Sequence, residues 1–102
     1  MCENVPEELV GFREQIDALD LELIDILARR FEVVREVAKF KAGSGLAVVQ
    51  AQRAEAVKQR AFDLAVSKGM DGAFVRSLYD VMIDYAHVLE HDIINQAKIS
   101  GE

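Results

Sequence analysis

Tryptophan is missing from this chain of 102 residues, and cysteine and proline occur once each. The lone thiol, Cys2, sits at a terminus that should fray, so a disulfide framework or a thiolate metal cluster is not expected. Basic residues are also scarce: 12 Lys and Arg face 18 Asp and Glu, for a net charge of −6. That balance argues against nucleic acid or an anionic membrane surface as partner. No apolar run approaches the roughly 18 residues of a membrane-spanning helix. Met1-Cys2-Glu3-Asn4 carries neither a basic nor an apolar leader segment, so the expected location is cytoplasmic. Strand-like alternation, internal repeats and low-complexity stretches are lacking too.

What is present is apolar and helical. Hydrophobic residues make up 51% of the chain, enough to expect a packed core in one domain spanning 1–102. Pro6 suits a first helical turn, and no second proline follows. From Glu7 to Ala42 the chain reads as one helix. Its apolar residues fall into a heptad, with one column at Leu9, Ile16, Leu23, Arg30 and Val37 and another at Phe12, Leu19, Ile26, Val33 and Phe40. A helix of roughly 36 residues spans roughly 54 Å, whereas a compact domain of this size has a radius of gyration of about 13 Å. The far end needs cover, most simply from a second copy in a two-fold dimer.

Gly43-Ser44-Gly45 ends that helix, and Leu46 to Val49 forms a short apolar connector. A second helix is predicted from about Gln50 to Lys68, with Val57, Ala61, Leu64 and Ala65 on one face. Gly69 suits the position after its end. Asp71 is a good N-cap for a third helix from Gly72 to about Lys98, with Met70 and Val75 placed as a hydrophobic staple. Its apolar stripe is read as Val75, Leu78, Met82, Tyr85, Ala86, Leu89 and Ile93. The fold class is all-α, three helices in the order long, short, long.

Arg30 is the defect in the first seam, because a buried guanidinium is costly unless an anion meets it. Lys41 lies eleven residues on, about three turns, so the two project alike with Val34 and Val37 between them. Arg13 lies seventeen residues before Arg30, roughly 25 Å along the axis, and could meet it only across two chains. Arg53 precedes Val57 by four, so it is read on the apolar stripe of the second helix. Glu90 follows Ala86 by four, on or beside the inward face of the third. Cations facing an apolar interior in an acidic protein point to a small anionic ligand, since guanidinium grips carboxylate in a bidentate fork. The plainer reading stands beside it: seam arginines snorkel or pair with a glutamate, and Lys41 next to a glycine break can be solvated.

His87-Val88-Leu89-Glu90-His91 matches the H-x-x-E-H pattern of some zinc proteases, with Asp84 on the same side. A catalytic zinc also needs a third protein ligand and a cleft. Two histidines on a partly exposed face is the simpler reading, and no metal is expected.

Phe12-Arg13-Glu14-Gln15-Ile16-Asp17-Ala18-Leu19-Asp20, then Leu27-Ala28-Arg29-Arg30, then Val37-Ala38-Lys39-Phe40-Lys41 resembles the all-helical class of chorismate mutases. The likeness continues through Arg53 and Asp71-Gly72-Ala73-Phe74-Val75 into the third helix. Phe40-Lys41-Ala42 is also similar to the isochorismate-pyruvate lyases of the same fold.

The resemblance implies an intertwined homodimer whose two sites each use both chains, and a chorismate-like dicarboxylate as substrate. It implies Arg13 reaching from the partner chain to one carboxylate, Arg30 on the other, Lys41 donating to the ether oxygen and Arg53 supporting a carboxylate. Glu90 stands where many bacterial members have glutamine. Gln50 and Ala54 stand where well-known members carry acidic residues that contact the substrate hydroxyl. The implied reaction, chorismate to prephenate, is a one-substrate pericyclic shift that needs no cofactor. It is served by holding the reactive conformer and stabilising charge on the ether oxygen, for which Lys41 and a protonated Glu90 are suitable donors. Isochorismate-pyruvate lyase and aminodeoxychorismate mutase remain as alternative activities. A helical dimerisation module without activity is the alternative of another class, though packing alone would be better served by leucine at position 30.

Overall fold

The computed structural model describes residues 5–100. The expectation for Cys2 lies outside that range. Three helices follow in order, α1 Glu7–Ser44, α2 Ala51–Ser67 and α3 Gly72–Ser100, with no strand among the described residues. Contacts gather the chain into two units that meet between Glu32 and Val33, within α1.

The first unit is helix throughout from Glu7. Pro6 precedes the helix rather than opening its first turn. Its carbonyl accepts from Leu9 N at 3.0 Å and Val10 N at 3.1 Å, so it stands as the cap. Glu7 and Glu8 then place negative charge in the first turn, where the helix dipole favours it. The heptad residues Leu9, Phe12, Ile16, Leu19, Leu23 and Ile26 are 41% to 61% exposed, while Leu27, Arg30 and Phe31 are half-buried.

In the second unit α1 runs two residues past the expected Ala42. Gly43 and Ser44 remain helical, and the turn falls at Gly45, whose φ of +73° is left-handed and whose N–H reaches Lys41 O at 2.9 Å. That single bond is the αL termination, and a Cβ at position 45 would strain it. The end of α2 uses the fuller Schellman form. Gly69, with φ +76°, bonds to Val66 O at 3.0 Å, and Met70 N bonds to Ala65 O at 2.9 Å. Asp71 caps α3 as expected, its Oδ1 accepting from Ala73 N at 2.9 Å and Phe74 N at 3.2 Å.

The core of this unit is built from small residues. Ala38, Val48, Ala61, Ala65, Ile83 and Ala86 are its buried apolar residues, and α2 packs on α3. The expected stripes need correcting here. On α2 Leu64 is exposed, because the centre of contact is the Ala54, Ala61, Ala65 row and Leu64 lies roughly 80° around from it at 100° per residue. On α3 Leu78 and Tyr85 are exposed and Ile83, not read as inward, is buried. The fully covered row is Gly72, Ile83, Ala86 and Glu90, in which Ile83 alone carries a strong hydrophobic signal. A second apolar row, Phe74, Leu78, Val81, Tyr85 and Val88, faces outward and drew Leu78 and Tyr85 into the expected stripe, whose other members, Val75, Met82, Ala86, Leu89 and Ile93, are covered as expected. At the rim, Arg76 Nη2 contacts both oxygens of Glu55 at 2.7 Å, and Lys58 meets Asp80 at 2.9 Å. Each such pair contributes about 0–1 kcal/mol, so they tune the register of α2 on α3 rather than hold it.

Candidate functional site

Three pieces of the second unit converge on Lys41: the last turn of α1, the connector after Gly45, and α3. Lys41 Nζ donates to Glu90 Oε1 at 2.8 Å and to the main-chain carbonyl of Val48 at 2.7 Å. The two charged side chains are 13% and 7% exposed, and Glu90 is the one buried charged residue among those described. An ion pair this short and this dry needs its remaining partners satisfied. The Val48 carbonyl supplies one of them.

The αL turn at Gly45 folds the chain back, and Val48 buries its side chain, which turns its carbonyl toward Lys41. Gln50 then donates from Nε2 to Ala47 O at 2.8 Å, closing the connector on itself. Gln50 carries no side-chain cap to α2, so its amide is spent on the connector instead. Glu90 reaches Lys41 because it shares the inward face of α3 with Ala86 and Ile83.

The six residues singled out from sequence fare differently. Lys41 and Glu90, 49 positions apart, are brought into direct contact. Gln50 and Arg53 line one shallow depression of about 420 Å³ together with Ala47, Val49, Ala51 and Gln52. Both are exposed, and Arg53 is not on the packed face of α2. The alanine row lies about 100° away from it. Arg13 is exposed and Arg30 half-buried on the part of α1 that belongs to the first unit. Val34, Ala38, Lys41 and Ala42 are the covered positions of the last turns of α1, while Val37, expected beside Lys41, is exposed. Among the described residues no three His, Cys, Asp or Glu side chains converge as a metal site.

The sequence reading missed Val48. Its role runs through a main-chain carbonyl, which every residue has, so no residue type marks it. The one available signal was an apolar residue inside a short connector between two helices.

Chemically, the arrangement offers an ammonium held in low-dielectric surroundings next to a carboxyl group, and, separately, a depression lined by the guanidinium of Arg53. Such a site binds anionic oxygen and can place a donor on an oxygen that gains charge. Residues 12–91 match the chorismate mutase type II family. The chain is 33% identical to a 4-amino-4-deoxychorismate mutase of Streptomyces venezuelae over 93% of this chain and 92% of that protein. It is 32% identical to an isochorismate pyruvate lyase of Pseudomonas aeruginosa over 80% of this chain and 83% of that protein. A shorter stretch, 45% of this chain and 12% of the other, is 44% identical to the T-protein of Enterobacter agglomerans.

Proposed function

Because this chain belongs to the chorismate mutase type II family, we propose that it catalyses the rearrangement of chorismate to prephenate, without a cofactor. The observation that carries this reading is the buried Lys41–Glu90 contact at 2.8 Å. In the rearrangement a C–O bond breaks as a C–C bond forms within one molecule, and negative charge grows on the ether oxygen. Lys41 Nζ is the donor to that oxygen. Glu90 accepts from Lys41 through Oε1 and holds the ammonium in place. Gln50 and Arg53 hold the polar and carboxylate parts of the ligand at the depression they line. Arg13 and Arg30 are carried as ligands of the two carboxylates on the family resemblance.

The working unit in this proposal is a two-fold dimer of one-domain chains in the cytoplasm. Support comes from the six exposed heptad residues of the first unit. Burying a large apolar side chain fully is worth about 1.5–3 kcal/mol. Covering six that are about half exposed is worth on the order of 5–9 kcal/mol, comparable to the whole stability of a typical domain, about 5–15 kcal/mol.

A second reading has its own support. The long match to a 4-amino-4-deoxychorismate mutase favours the same bond rearrangement on an amino-substituted substrate. Ala54, where acidic residues meet the substrate hydroxyl in well-known members, agrees with a changed substituent. The test is to supply chorismate, isochorismate and 4-amino-4-deoxychorismate separately and identify products. Prephenate carries the first reading, its amino analogue the second, and pyruvate with salicylate would replace both. No product from any of the three would leave a helical dimerisation module.

A further inference from the structure

A lysine side chain is a poor directed donor by default. Its ammonium is strongly hydrated, sits on four rotatable bonds and carries three equivalent N–H groups. Lys41 is different because two of the three are committed, to Val48 O at 2.7 Å and Glu90 Oε1 at 2.8 Å. The N–H directions of an ammonium are tetrahedral, so fixing two fixes the third. With the side chain 13% exposed, water has little access to compete for that last proton. Both holds are built rather than incidental. Glu90 sits on the packed face of α3, and Val48 is 7% exposed in a connector that begins at the αL turn of Gly45 and closes through Gln50.

We propose that Val48 is a positioning residue for the reaction: its buried side chain anchors the connector so that its carbonyl, together with Glu90, aims the third N–H of Lys41 at the substrate. This rests on the functional reading above, in which Lys41 is the donor. The connector then matters for rate and not for affinity. Substrate binding draws mainly on the guanidinium groups, whereas the donor acts on charge that develops in the transition state.

Two perturbations separate the side chain from the carbonyl. Val48→Gly removes the anchor, with Val48→Ile as the conservative rescue. An ester in place of the Val48–Val49 amide keeps the side chain and weakens the Val48 carbonyl as an acceptor. Misaiming a catalytic group by about 1 Å costs up to about a hundredfold. Both perturbed proteins should therefore lose about tenfold to a hundredfold in kcat with KM within about twofold, and Val48→Ile should return to near the wild-type rate. Nitrogen-15 NMR of lysine-labelled protein reads the clamp without activity: the Lys41 ammonium protons should exchange slowly in wild type and faster in the ester. An ester protein with a loosened ammonium and an unchanged kcat would overturn the positioning role. An ammonium signal that does not respond to the ester would overturn the clamp itself. Wild-type protein that turns over none of the three substrates would overturn the functional reading, and with it the role in rate, while the ammonium signal still reports whether the clamp exists.

Discussion

Replacing Lys41 by methionine is the most informative perturbation, because it separates what the buried pair does for folding from what it does for chemistry. At 2.8 Å and an effective dielectric of about 20, the attraction between the two charges is about 6 kcal/mol. Desolvation costs several kcal/mol per ion and offsets most of it. The pair as a whole is therefore near neutral for stability, while a single deletion is not. Lys41→Met leaves the Glu90 carboxylate buried without its cation and takes the donor from the Val48 carbonyl. The expected loss is about 3–5 kcal/mol, the range for breaking a buried pair from one side. Lys41→Met with Glu90→Leu removes both charges and should recover to within about 1 kcal/mol of wild type or better. Urea unfolding at one fixed protein concentration measures all three proteins, and a double-mutant cycle isolates the coupling. The double variant should fold and be inactive. A loss below about 1 kcal/mol for Lys41→Met would show the pair is solvated in solution, since that is the range of exposed pairs. Additive losses in the cycle would show the two residues do not meet.

Four further outcomes are expected. Arg13→Ala and Arg30→Ala should each lose activity at least about tenfold, from the loss of about 1.5–3 kcal/mol per charge-assisted bond. Mixing the two should restore part of it through heterodimers, and confirmed subunit exchange without recovery would sink the shared site. Glu90→Gln keeps the shape and an oxygen that accepts from Lys41, so it should retain more activity than Glu90→Ala. Equal losses in the two variants would remove the role of that contact. The hydrogen bond between Lys58 and Asp80 lowers the Asp80 pKa from 3.8 and raises that of Lys58 from 10.5. Asp80 therefore adds stability above its unfolded value that is lost as pH falls through the lower folded value, and Lys58 adds stability below 10.5 that is lost as pH rises past it. The stability difference between wild type and Asp80→Asn should be small, level between those limits and shrink beyond each, and a difference that does not shrink as pH falls below 3.8 would refute the assignment. Finally, a Cβ at Gly72 would stand 2.9 Å from the Phe62 ring, so Gly72→Ala should cost on the order of 1–3 kcal/mol as overpacking, and a Phe62→Leu background should relieve it in thermal melts.

The sequence by itself determined the three helices, with their ends to within about two residues. Those depend on local chemistry: Pro6 ahead of the first turn, left-handed backbone at Gly45 and Gly69, and an N-cap carboxylate at Asp71. It also determined that the first helix carries a long apolar face, since a heptad needs only the period of the helix. The six candidate site residues were legible as charged or polar residues in a recognisable order. Which face of each helix is buried within the chain was decided only by tertiary structure. Hydrophobic periodicity reports every face that must leave water, whoever covers it. On α3 the outward row of Phe74, Leu78, Val81, Tyr85 and Val88 outweighs the inward row of Gly72, Ile83, Ala86 and Glu90 in hydrophobic content. Small residues pack helices closely and give almost no periodic signal, so the stripe on α3 was read with Leu78 and Tyr85 in it and Ile83 left out, and Arg53 was placed on a face it does not occupy. The contact between Lys41 and Glu90 joins positions 49 apart, and the hold on Lys41 by Val48 uses a carbonyl common to every residue. Neither the distance in sequence nor the identity of a backbone acceptor leaves a mark in the order of side chains, so only the folded chain could place them together.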